Sequence, residues 1–162
     1  MEKLSYENNI IKNFGGVSTD ILKSIELAWN FRFPKDYRYF LEKYNGGNVE
    51  KRGFNFSDGN PGSCLRYLKG IVSDVGYNFL RDFYVMWGDR IPKNLIPIGE
   101  DPFGNRILIS IKGPDYGKVY FWDHEREADT ENGEEPSYDN LTLIAHSFDE
   151  FMNSLHSEED AN

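Results

Sequence analysis

From residue 95 the period of the apolar side chains in this chain shortens. A spacing of two puts alternate side chains on one face of a strand, whereas a spacing near 3.6 puts them on one side of a helix. "LIPIG" (95–99), "NRILISI" (105–111) and "GKVYFWD" (117–123) therefore read as strands, with turns at "DPFGN" and "GPDYG". Turns this short join antiparallel neighbours, because a parallel return needs a long crossover. "LTLIAH" (141–146) reads as a further strand. Helical spacing precedes this block and returns after it, so the pattern is α+β: helices, a meander of strands, then a closing helix.

The helix before the meander is written into "FRFPKDYRYFLEKYNGG" (31–47). Pro34 suits the first helical turn, and Asp36 faces the positive end of the helix dipole. Tyr37, Phe40, Leu41 and Tyr44 form one apolar stripe, and Asn45-Gly46-Gly47 supplies the left-handed stop. Upstream, Ser18, Thr19 and Asp20 offer caps to a helix with Ile21, Ile25, Ala28 and Trp29 on one side. Phe31 and Phe33 cover the core where the chain turns. Residues 5–14 are compatible with a short helix, and residues 48–62 with strand and loop. Tyr77, Leu80, Phe83, Tyr84 and Trp87 match a helix over 77–87. At the end, Ser147 and Glu150 have capping-box spacing ahead of Phe148, Phe151, Met152 and Leu155.

A chain of 162 residues suits one sizeable core. With no Pro- or Gly-rich linker to divide it, a single domain is expected over residues 1–156, with 157–162 as a frayed tail. No apolar run approaches the roughly 20 residues that cross a bilayer, so no membrane partner is expected. The N-terminus lacks a signal-peptide pattern and Cys64 has no disulfide partner, which favours a cytoplasmic protein. Residues 1–98 hold 14 basic and 11 acidic side chains, whereas residues 99–162 hold 4 basic and 16 acidic. Such a surface repels nucleic acid and attracts basic proteins, although acidic surfaces also serve solubility alone.

The sequence offers no catalytic constellation: His124, His146 and His156 are scattered, and no HExxH, CxxC pair, P-loop or GxSxG is present. "FWDHERE" (121–127) carries Asp123, His124 and Glu125, but alternation lets only Asp123 and Glu125 converge on a cation, with Asp101 or Asp115 as further oxygens. Cys64 has Arg66 and Lys69 nearby but no histidine, so it reads as a structural thiol. No cofactor or metal site is assigned.

Residues 123–139, "DHEREADTENGEEPSYD", hold 8 acidic residues and one arginine. Pro136, Gly133 and Asn132 make this a loop, longer than a hairpin needs, and like charges favour an extended one. It reads either as a solvated insertion or as a surface for a basic partner. In the second case Asp123, Glu125, Glu127, Glu131, Glu134 and Glu135 carry the charge. Tyr120 and Trp122, on one face of the preceding strand, are the candidate apolar anchors.

The helix with Trp29, "FPKDYRYFLEKYNGG", "LIPIGEDPFGNRILISI", "GKVYFWDHE" and "IAHSFDEFMNSL", in this order over residues 18–155, resemble the SUKH superfamily, the SMI/KNR-like cell-wall-regulator group. The resemblance implies one α+β domain with a curved, mainly antiparallel sheet packed by N-terminal and C-terminal helices. It implies an intracellular immunity protein that binds and neutralises a cognate polymorphic toxin, often a nuclease. A monomer or weak homodimer without cofactor is expected. A regulatory interaction adaptor is the alternative within the family. A carboxylate metal-dependent enzyme is the alternative outside it.

Overall fold

A computed structural model describes residues 5–71 and 78–158. Among them, seven strands form an antiparallel sheet in the order β1-β2-β5-β6-β7-β8-β9. The strands are β1 (Ile10–Asn13), β2 (Gly47–Val49), β5 (Tyr67–Leu68), β6 (Leu95–Glu100), β7 (Arg106–Ser110), β8 (Val119–Trp122) and β9 (Leu141–Ala145). Strands β3 (Gly53–Asn55) and β4 (Pro61–Cys64) form a separate hairpin. The four strands from β6 to β9 are a meander, each paired with the next, as the shortened apolar period predicts.

Helix α1 (Thr19–Trp29) starts where Ser18 Oγ accepts the Ile21 N–H and stops at Asn30, in the left-handed region. Its buried stripe is Leu22 and Ile25, with Trp29 half-buried; Ile21 and Ala28, expected inside, are exposed. Both stripes obey helical spacing, so periodicity alone does not choose between them. The choice follows from Glu26, which turns toward α2 to accept the Phe33 N–H at 2.8 Å and to pair with Arg38 at 2.6 Å.

Helix α2 (Lys35–Lys43) buries Tyr37, Phe40 and Leu41, as expected. Pro34 stands at its N-cap, one position ahead of the first turn. Asn45, Gly46 and Gly47 all have positive φ. Gly47 has a second reason to lack a side chain: a Cβ there would lie 2.0 Å from the Lys12 carbonyl oxygen of β1. That close approach explains why residues 5–14 are not one helix. A 3-10 turn spans Ser5–Asn9, and the chain then extends as β1 to pair with β2.

Helix α3 (Phe79–Met86) is capped by Asn78, whose side chain accepts the Arg81 N–H at 3.1 Å. Tyr77, expected at its start, lies outside the described residues. Phe79, Phe83 and Met86 are buried, whereas Tyr84, expected on the apolar stripe, is 83% exposed. Helix α4 (Phe148–Ser154) keeps the capping box with one shift. Ser147 Oγ accepts the Glu150 N–H, and Glu150 Oε2 accepts the N–H of His146, one residue before the cap.

The sheet separates two apolar clusters. Ile96, Ile98, Ile107, Ile109, Val119 and Ile144 pack into the main core with Tyr37, Phe40, Phe148 and Phe151 of α2 and α4. On the opposite face, Leu95, Leu108 and Trp122 meet Met86 and Ile91 in a smaller cluster, with Tyr120 and Leu141 against it. No described helix is long and apolar enough to cross a membrane. Backbone bonds join Gly53 to His156, and Arg52 pairs with Glu158, so the chain is held through residue 158. Residues 159–162 of the expected frayed tail lie outside the described residues.

Candidate functional site

The β8–β9 connection, residues 123–140, is the acidic segment. Its ends are tied where Asp123 N–H donates to the Asn140 carbonyl and Asn140 Nδ2 donates back to the Asp123 carbonyl. Like charge predicts an extended loop, but it instead folds into two 3-10 turns, His124–Arg126 and Thr130–Asn132. Asp123 caps the first by accepting the Glu125 N–H, and Asp129 caps the second by accepting the Asn132 N–H. Short side-chain acceptors so placed satisfy turn donors locally and outweigh the repulsion between solvated carboxylates.

Three braces hold the loop against the smaller apolar cluster. Arg90, in the turn after α3, makes a two-pronged bond to Glu127 at 2.9 and 3.1 Å and lies over the Trp122 ring at 5.3 Å. Asn105 Oδ1 accepts the His124 N–H, and Asn105 is itself held by Asp101, which takes its backbone and side-chain N–H groups. Tyr138 donates its hydroxyl to Asp115 Oδ2 at 2.6 Å, beside the hydroxyls of Tyr120 (2.8 Å) and Ser110 (2.8 Å). Burial alone raises the Asp115 carboxyl, but the three hydroxyls outweigh it and hold Asp115 below the usual carboxylate range. Tyr138 is pushed up to about 12, by burial first and then by this bond.

These braces sort the candidate residues. Glu125, Glu131, Glu134 and Glu135 are exposed and have no ion-pair partner among the described residues. Asp123 is engaged with Glu125 and Arg126, and Glu127 with Arg90. Tyr120 and Trp122 do share one sheet face, with Phe121 on the other against Phe54 and Phe56. Trp122, however, is 1% exposed. Met86, Ile91, Leu95 and Leu108 pack around it and Arg90 lies over its ring, so Trp122 does not stand at the surface as an anchor. Tyr120 is half-buried, its hydroxyl committed to Asp115.

No group of three or more metal-ligating side chains comes together among the described residues. Asp101, considered as a cation ligand, accepts from Ser63, Phe103 and Asn105 and organises the β6–β7 turn. Cys64 is half-buried, and burial pushes its thiol up, away from the reactive thiolate. Four charges meet where β5, β6, β7 and α3 join: Lys69 pairs with Glu100 at 2.8 Å, and Arg106 with Asp82 at 3.0 Å. Burial would raise the Glu100 carboxyl, but bonds from Lys69 and Tyr67 more than offset it and keep it low. The mutual pairing marks this cluster as a structural network.

One surface went unanticipated. An open groove of about 1170 Å³ runs between α1, the start of α2 and the β7–β8 turn. Lys23, Arg32, Lys35 and Lys112 surround it, with Leu27 and Phe31 among its apolar lining. Its trace in the sequence is the basic excess of the first 98 residues, which supply Lys23, Arg32 and Lys35, whereas Lys112 comes from the acidic half.

The family model described as SMI1 / KNR4 family (SUKH-1) matches residues 16–154. The SPbeta prophage-derived uncharacterized protein YokK of Bacillus subtilis (strain 168) is 32% identical over 154 residues, spanning 85% of this chain and 73% of that protein.

Proposed function

Because the chain belongs to the SMI1 / KNR4 family (SUKH-1), we propose that it is an immunity protein, which binds a cognate bacterial toxin through the β8–β9 loop and neutralises it by occupying its working surface. The family includes such proteins, and protein–protein binding is its common mode of action. The observation that carries the reading is the set of four exposed carboxylates, Glu125, Glu131, Glu134 and Glu135, on a braced loop and without an ion-pair partner among the described residues.

The mechanism is electrostatic and steric. A nucleic-acid-cleaving toxin holds phosphate in a basic cleft, and carboxylates on a rigid loop present the same sign of charge to it. Free carboxylates speed encounter and orient the partner. The braces from Arg90 and Asp115 order the loop before contact, so less conformational entropy is lost on binding. Asp123, Glu127 and Tyr120 act as positioning residues, their polar groups already engaged within the fold.

Co-expression with the C-terminal domain of a toxin encoded by a neighbouring gene tests the reading. Survival with the intact protein, and killing when Glu131, Glu134 and Glu135 are all changed to Lys, is expected. Killing undiminished by the intact protein overturns it.

A further inference from the structure

The groove beside α1 holds four cations that the fold leaves without acids. Lys23, Arg32, Lys35 and Lys112 are all exposed, and none has an ion-pair partner among the described residues. Glu26 lies in the same groove but is taken by Arg38 at 2.6 Å and by the Phe33 N–H. Leu27, 84% exposed, adds apolar surface, and Tyr116 forms a wall fixed by its hydroxyl bond to the Arg32 carbonyl. Gathering like charges around apolar surface costs free energy that an anionic occupant returns.

The same chain carries the complementary surface. Glu125, Glu131, Glu134 and Glu135 are exposed like the groove cations and likewise have no ion-pair partner among the described residues. The groove lies on the side of the main core, where Phe31, Phe33 and Ile111 are buried. The acidic loop is fastened on the opposite face, where Arg90 bonds Glu127 and lies over the Trp122 ring. Within one copy, no ion pair joins the groove cations to the loop carboxylates among the described residues. We infer that the groove receives the β8–β9 loop of a second copy, in a head-to-tail contact between the four cations and the four carboxylates. Such a contact is heterologous, so it adds copies in series unless the rotation closes a ring. The inference stands apart from the toxin reading, since neither surface needs a toxin to meet the other. A second copy is favoured over nucleic acid because the net charge of −9 repels a phosphate polymer as a whole. That charge also opposes self-approach at long range, so the contact depends on local pairing at short range.

Sedimentation velocity on the full chain tests it. At about 0.1 M salt, where the Debye length is about 10 Å, the weight-average sedimentation coefficient is expected to rise with protein concentration, and the rise to vanish at about 1 M salt. Arg32→Glu/Lys35→Glu should abolish the rise. Both residues are exposed, and Glu at position 35 suits the start of α2, so the variant keeps its fold. Glu131→Lys/Glu134→Lys/Glu135→Lys should abolish it too, and an equimolar mixture of the two variants should restore it. Lys51→Glu/Arg81→Glu carries the net charge of the groove variant but changes exposed sites outside the groove, and should associate like the parent chain. A parent chain that stays monomeric at every concentration overturns the inference. Equal loss in the Lys51/Arg81 control overturns it as well, as does binding of a single-stranded oligonucleotide in the groove without self-association.

Discussion

Glu127 closes both carboxylate oxygens on the Arg90 guanidinium, which in turn lies over the buried ring of Trp122. The acidic loop is thereby fastened to the smaller apolar cluster through one planar group, which stacks on a ring and binds a carboxylate at the same time. Glu127→Gln removes the charge and half of that geometry. Because the pair is partly exposed, the expected cost is about 1 kcal/mol, which lowers the melting temperature by about 2–4 °C for a chain of this size. Hydrogen exchange across residues 123–139 should accelerate while α2 and α4 stay protected. Uniform acceleration throughout the chain would contradict this local role.

Asp115 predicts an acid-dependent difference. Its carboxyl is held below its ordinary value when folded, so its contribution is present above the unfolded value, about 3.9, and is lost as pH falls through the folded value. Tyr138→Phe removes the shortest of its three hydroxyl bonds. The variant should be less stable than the parent by about 1 kcal/mol at neutral pH, and the gap should begin to narrow below about pH 4 and close as pH falls through the folded value. A gap that stays constant from pH 7 to pH 2 would show that the bond does not act through the ionised carboxyl.

Reversing Glu125, Glu131, Glu134 and Glu135 to Lys should change the melting temperature little, since none has an ion-pair partner among the described residues and the one bond lost is the exposed contact from the Asp129 N–H to Glu134 Oε2 at 3.3 Å. Under the immunity reading, the same change should slow toxin association roughly 10- to 100-fold, with the greater effect at low salt. Stopped-flow binding at two ionic strengths measures this. Glu127→Lys is a poor probe of the interface because it also breaks the Arg90 brace.

Two neighbours on α3 should respond oppositely. Phe83 is 1% exposed and sits between the rings of Trp29 (5.1 Å) and Trp87 (4.9 Å), with Phe79 at 5.5 Å. Phe83→Ala should cost about 3–5 kcal/mol. Tyr84, the next residue, points to solvent, and Tyr84→Ala should change stability by less than about 0.5 kcal/mol. Urea denaturation of both variants provides the comparison.

The sequence alone determined whatever is settled within a few neighbouring residues. The caps at Ser18 and Ser147, the stripe of Tyr37, Phe40 and Leu41, the left-handed stop at Asn45-Gly46-Gly47 and the β6–β9 meander all follow from short-range spacing and turn chemistry. The same locality placed Tyr120 and Trp122 on one face, because alternation is a property of the strand itself. Tertiary structure decided everything that depends on distant partners. It chose Leu22 over Ile21 through Glu26 and Arg38, and it drew Ile10–Asn13 out of a helix to pair with a strand more than thirty residues away. It buried Trp122 among Met86, Ile91, Leu95 and Leu108 beneath Arg90, and it gathered Lys23, Arg32, Lys35 and Lys112 around one groove. The physical reason is that a helix stripe or a turn is selected by bonds a few residues long, whereas exposure and charge clustering are set by which remote segments pack together.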